Sequence, residues 1–126
     1  LVHNKRLRVS KRHDLTNCLI GTGIPFGNRV YENFYKELEN MSKNSAGVRR
    51  LGAAALDLAY VSSGKIDGFW ERDLNLWDVC SSVLLVKEAG GKITEPDGKK
   101  WTTNSRDIVV SNSLIHNKLI ENLTLL

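Results

Sequence analysis

Four carboxylates, Asp67, Glu71, Asp73 and Asp78, fall within the twelve residues of "DGFWERDLNLWD". Acids at this density suit a hard cation. Magnesium takes oxygen donors, keeps several waters, and often needs only one or two protein carboxylates beside the phosphate oxygens of a substrate. Asp78 is the first candidate ligand, because it stands just before the apolar run "VCSSVLLVKEAGG", which reads as a helix stopped by Gly90-Gly91. At a helix start the dipole and the open amides favour the ionised carboxylate, the form that binds metal. The same position suits a plain N-cap hydrogen-bonded to the backbone, and periodicity alone does not separate the two. Glu71 and Asp73 would share one side of an extended strand.

Two further segments carry groups that can meet an anion or a sugar. In "GVRRLGAAALD", Gly52 with the amides of Ala53 and Ala54 forms a prospective helix N-terminus free of bulky side chains. Arg49 and Arg50 precede it, and a guanidinium there can pair bidentately with phosphate or with an acid such as Asp57. Gly21-Thr22-Gly23 can bring backbone donors to a ligand. Each has a structural reading too: tight helix packing for Gly52 to Ala54, an ion pair for one arginine, and a turn for the glycines.

The elements that must position these groups alternate in type. "LTNCLIGTGIPF" from Leu15 reads as a short buried strand ending in a glycine and proline turn, and 28–44 as an amphipathic helix with Val30, Phe34, Leu38 and Met41 on one face. "AGVRRLG" reads as a short strand or link, and 53–63 as an Ala-rich helix, apolar on nearly all sides and buried. "DGFWERD" follows as a strand. After the helix ending at Gly90 come the strands "KITEP" and "DIVVSN", with a turn at Asp97-Gly98. A closing helix in "SLIHNKLIENL" has Asn112 or Ser113 as its cap. Alternation of this kind predicts a layered α/β domain with a substantially parallel sheet, whose ligands gather beyond the carboxyl ends of the strands.

Composition narrows the class. The 126 residues, 41% hydrophobic and 25% charged, are those of one ordinary globular domain, and no apolar run approaches the length of a membrane span. A cytoplasmic location and no membrane partner are therefore expected. Cys18 and Cys80 lack the spacing of a zinc site and are expected as core fillers; His3, His13 and His116 are scattered. Five of the 18 Lys and Arg lie between Lys5 and Arg12, contributing to a net charge of +4. Such a cluster is either a solvated basic segment or a footprint for nucleic acid. The chain opens on Leu1 rather than Met, and "KRLRVS" reads as a strand with nothing before it to pair. Part of a longer protein is the expectation.

Together, "LIGTGIPF", "GVRRLGAAALDLAYVSSGKIDGFWE" and "LWDVCSSVLLVKEAGG" resemble the inositol monophosphatase family in its bacterial form, over nearly the whole chain. The resemblance implies a layered α/β/α/β/α sandwich of which this sequence is the carboxyl-terminal half, with 1–14 closing the amino-terminal sheet and 15–126 forming the carboxyl-terminal domain. It implies that Asp78 binds magnesium and acts in catalysis and at the substrate. It further implies that Gly52-Ala53-Ala54 contacts substrate, that Glu71 holds inositol hydroxyls, and that Arg49 serves the substrate. A small phosphate monoester as substrate and a homodimer are implied as well. Two departures stand out. Ala53 replaces the usual Ser or Thr hydroxyl, and the Gly-Glu-Glu and Asp-Pro-Ile-Asp-Gly-Thr motifs that supply the remaining metal ligands are absent from these residues. The segment by itself is expected to be inactive and, with an apolar face uncovered, to associate. The rival expectation is a phosphatase-like module that binds RNA or a transcription complex through its basic segment.

Overall fold

The computed structural model describes residues 7–23, 33–75, 77 and 79–124. Asp78, the first metal candidate, lies outside the described residues. So do 28–32 of the predicted first helix.

Backbone pairing builds one five-stranded sheet from β1 (Leu19–Thr22), β2 (Gly47–Arg49), β3 (Gly68–Glu71), β4 (Lys92–Thr94) and β5 (Ile108–Ser111), in the order β2-β1-β3-β5-β4. β1 pairs in parallel with both β2 and β3, and β5 runs antiparallel to β3 and β4. Only β5 opposes the common direction, which refines the expected largely parallel sheet. Helices α1 (Phe34–Asn44), α2 (Ala54–Ser62), α3 (Cys80–Glu88) and α4 (His116–Leu123) complete the alternation. None of the described helices is long and apolar enough to cross a membrane.

The pleat sorts the strand side chains onto two faces. Ile20, Trp70 and Val109 join Phe34 and Met41 of α1 and Leu119 and Leu123 of α4; Phe69, Ile108 and Val110 join Leu58 and Val61 of α2 and Val83 and Val86 of α3. Both faces of β3 are therefore covered. This is why "DGFWE" shows no burial alternation despite its alternating sequence. The α2–α3 layer is apolar outward as well: Leu56, Leu84 and Leu85 stay exposed, so α2 is half covered rather than buried throughout.

Three expectations change. Among the described residues, 7–14 carry no strand pairing, and Ser10 and Arg12 reach the amino end of β3. There the buried Asp67 carboxylate accepts from Ser10 Oγ, Arg12 and the Leu19 amide, and Asn112 donates to Arg12 O. Cys80 is exposed while Cys18 is buried, so only Cys18 fills core. Trp77, a possible core residue on sequence, is 86% exposed.

The predicted closing helix begins later than its cap candidates. Asn112 Oδ1 accepts from the Leu114 and Ile115 amides, which organises the turn before α4. His116, fully buried, ties that turn to the sheet. Thr94 Oγ1 donates to Glu95 O, so it accepts from His116 Nε2; Ser111 Oγ then donates to Nδ1. The network fixes a neutral imidazole with its proton on Nε2. Burial, with the Lys92 charge adding, lowers the His116 pKa to about 4. The unfolded chain then binds the proton between pH 6.5 and 4 where the folded chain does not, so this contribution is present above pH 6.5 and lost as pH falls. The stability advantage of wild type over His116→Gln in urea unfolding should shrink by about 1–2 kcal/mol between pH 7 and pH 5.

Candidate functional site

β1, β2 and β3 all point their carboxyl ends to one edge of the domain, and α2 and α3 both start from that edge because they follow β2 and β3. Glu71 closes β3 there. Gly21 stands opposite Phe69 on one side and Arg49 on the other.

The two glycines of the "GTG" stretch have a specific spatial cause. A Cβ on Gly21 would lie 2.2 Å from Asp57 Oδ1, and a Cβ on Gly23 would lie 2.3 Å from Glu71 Oε1. Residues two apart share a face and stand roughly 7 Å apart along the chain. One acid from α2 thus occupies the bare position at Gly21 in β1, and one from β3 the bare position at Gly23, just past the end of that strand. Thr22, between them, points to the other face and donates to Trp70 O. The glycines make room for carboxylates; a role as backbone donors to a ligand is not needed to explain them.

Asp57 is 1% exposed, and its Oδ1 has no hydrogen-bond partner among the described residues. Burial, reinforced by the negative charge of Glu71, raises its pKa to about 7. The sequence showed Asp57 only as a possible partner of an arginine. Its position in the first turn of α2 gave no sign that the facing strand would be stripped of side chains.

The remaining candidates separate. The four-acid segment does not converge. Asp67 lies at the amino end of β3, bound as described above, while Glu71 lies at the carboxyl end. Asp73 turns away through a left-handed backbone (φ 53°) and bonds Arg106. Its amide donates to Asp107, which also pairs with Arg72; Arg72 in turn meets the buried Glu37. Among the described residues no three His, Cys, Asp or Glu side chains gather as a metal-ligand cluster.

Arg49 folds back along its own strand, its guanidinium over Gly47 and donating to Val48 O, away from the carboxyl edge and from Asp57 Oδ1. Gly52 takes φ 91° and would meet nothing with a Cβ, so it serves the backbone path into α2 rather than close packing. Ala53 sits at the cap position of α2 without a side-chain cap, and Ala54 opens the helix half-buried. α3 begins at Cys80 with Val79 in the cap position.

A family model described as "Inositol monophosphatase family" matches residues 1–125. The chain belongs to the inositol monophosphatase family. An inositol-1-monophosphatase of Caulobacter vibrioides is 46% identical over 121 residues, covering 94% of this chain and 47% of that protein. A Nus factor SuhB of Pseudomonas aeruginosa is 41% identical over 115 residues, covering 89% and 42%. Among solved structures, the extragenic suppressor protein suhB from Bartonella henselae superposes with a TM-score of 0.90 at 40% identity, over 97% of this chain and 48% of that one. The fold is thus the α/β sandwich of this family. The chain spans about half the length of the curated relatives it matches.

Two stability outcomes follow from the notched strand. Gly21→Ala should cost about 1–3 kcal/mol in denaturant unfolding, because its methyl must displace a carboxylate held by a helix. Asp57, with its pKa raised from 3.8 to about 7, binds its proton more tightly folded than unfolded. It therefore burdens the fold increasingly as pH rises through that window. Asp57→Asn should exceed wild type in stability by about 1–3 kcal/mol at pH 8, a difference that closes toward pH 4.

Proposed function

We propose that the complete protein to which this chain belongs hydrolyses small phosphate monoesters of polyols, inositol 1-phosphate foremost, in a magnesium-dependent reaction. The observation that carries the reading is the carboxyl edge itself: two acids, Asp57 and Glu71, seated over Gly21 and Gly23 between the starts of α2 and α3. Membership of the inositol monophosphatase family and the names of its relatives support it.

The donor chemistry at this edge fits a hard cation. The orphaned oxygen of Asp57 and the Glu71 carboxylate are the oxygen donors such an ion prefers, and Asp78 adds a third acid in sequence. In this reading Asp78 holds the magnesium. When bound, the ion supplies polarisation of the phosphoryl oxygens and acidification of water. Glu71 accepts hydrogen bonds from ring hydroxyls and so orients the alcohol. The amides after Gly52, at the start of α2, face negative charge with the positive end of the helix dipole. Ala53 offers the backbone alone, which leaves substrate preference to the other contacts. Arg49 reaches substrate only by leaving its seat over Gly47.

The other acids that the resemblance calls for are not in this sequence, so the segment alone is catalytically incomplete. The exposed Leu56, Leu84 and Leu85 support its association, with itself or with the remainder of a longer chain.

A second reading rests on a different observation. Lys11, Arg12 and His13 line an open depression with Asp14 and Asn17, and a relative carries the name Nus factor SuhB. On that reading the basic segment binds RNA or a transcription complex.

Phosphate release from inositol 1-phosphate by the complete protein should require magnesium and fall by about a hundredfold or more in Asp78→Asn, while residues 1–126 alone release none. A well-folded protein without activity on several monoesters, whose RNA binding weakens with added salt and with Lys11→Ala, would replace the first reading by the second.

A further inference from the structure

We propose that Glu37 and Arg72 act together as positioning residues for Glu71: from the face of the sheet opposite the candidate site, one buried carboxylate grips the side chains on both sides of Glu71 and so fixes the direction in which Glu71 meets the hydroxyls of the substrate. The inference rests on the reading of Glu71 as that acid.

Three observations converge on it. First, side chains alternate along a strand, so Trp70 and Arg72 share one face of β3 and Glu71 takes the other. Glu71 stands over Gly23, while Trp70 and Arg72 both reach Glu37 of α1. The Trp70 indole donates to Glu37 Oε1 at 3.2 Å, Arg72 Nε approaches the same oxygen at 3.4 Å, and a terminal nitrogen of Arg72 pairs with Oε2. Second, backbone pairing of β3 with β5 ends at Glu71 opposite Ile108, and the next residues in register are Arg72 and Asp107. There side chains take over. Arg72 donates to Asp107 Oδ2 at 3.2 Å, and the Asp73 amide donates to Asp107 Oδ1 at 2.9 Å. Glu71, the last residue of its strand, is thus braced rather than left at a fraying end. Third, the group is deeply set. The Glu37 side chain is 0% exposed and that of Arg72 11%, and Trp70 stacks on Phe34 with ring centroids 6.2 Å apart.

The pair joins α1 to β3, yet apolar residues of similar volume often hold two layers together equally well, because taking two charges out of water offsets most of their attraction. What apolar residues lack is direction. A guanidinium fork meets a carboxylate in few orientations, and with the indole on the same oxygen it sets the backbone on both sides of Glu71. Glu71 has a side chain with three torsions, so its reach depends on where its backbone aims it. A fixed backbone leaves fewer positions to give up when substrate binds. The device acts on recognition of the alcohol rather than on the phosphoryl group.

The test uses the complete protein and two substrates, inositol 1-phosphate and 4-nitrophenyl phosphate, which has no ring hydroxyls. Arg72→Met leaves the Glu37 charge buried without the Arg72 cation and should lower the urea midpoint of unfolding. Glu37→Gln combined with Arg72→Met removes that charge, keeps an acceptor for the indole, and should recover more than about half of the lost midpoint. Both variants should nevertheless raise KM for inositol 1-phosphate about tenfold with kcat within about twofold, and leave 4-nitrophenyl phosphate within about twofold. A KM that returns to the wild-type value together with stability, equal loss on both substrates, or no change on either would each overturn the proposal. If Arg72→Met fails to fold, the double variant carries the comparison with wild type alone. If wild type hydrolyses neither substrate, the functional reading fails by itself. Crystal structures of wild type and the double variant then decide the clamp: Glu71 displaced from Gly23 supports it, and Glu71 in its wild-type seat overturns it.

Discussion

Two carboxylates fill the bare positions at Gly21 of β1 and at Gly23 just beyond it, and the domain is arranged so that they can. A sheet position normally projects a Cβ into the layer above it. At Gly21 and Gly23 that space is filled by Asp57 and Glu71 instead. The acids come from different elements, α2 and β3, so their meeting depends on the parallel pairing of β1 with β3 and on the seating of α2 over β1. Loss of either contact would separate them. Charge of one sign is thereby concentrated at the carboxyl edge, in a layer that is otherwise apolar. The raised Asp57 pKa is the measure of that confinement.

The opposite end of the same strands solves its polar demands differently. Asp67 is as deeply buried as Asp57, yet it is satisfied by a hydroxyl, a guanidinium and a backbone amide, and it ties residues 10–12 and 19 to the start of β3. Glu37 is likewise buried and met by Arg72 and the Trp70 indole. His116 is held between two hydroxyls. These are closed networks, whose members serve each other and stabilise the fold. Asp57 differs in having an oxygen left over. Among the described residues two buried polar side-chain atoms lack a partner, Asp57 Oδ1 and Trp101 Nε1, and of the two only Asp57 is an acid.

The two helix layers also differ in what they leave exposed. α1 and α4 carry apolar residues on one face and polar residues on the other, as expected of outer helices. α2 and α3 are apolar around much of their circumference, and Leu56, Leu84 and Leu85 remain on the surface opposite the sheet. The Caulobacter vibrioides relative is about twice as long as this chain.

Much was legible from the sequence because it is written in local chemistry. Periodicity at three and four residues marked α1, glycines marked the ends of α2 and α3, and "GTG", "GAAALD" and "WDVCSSVLLVKEAGG" carried the family resemblance. Strand and helix alternation gave the layered class. What the sequence could not rank was its acids. Asp67, Glu71 and Asp73 are near neighbours along the chain, but a strand carries Asp67 and Glu71 to opposite ends, and a left-handed turn swings Asp73 toward Arg106. Asp57 stood apart in a helix and read only as a possible partner of an arginine. Local sequence determined which elements form and where they stop, since propensity and capping act over a few residues. The tertiary structure alone decided which carboxylates meet, since that depends on pairing between segments tens of residues apart and on the side chains that β1 lacks.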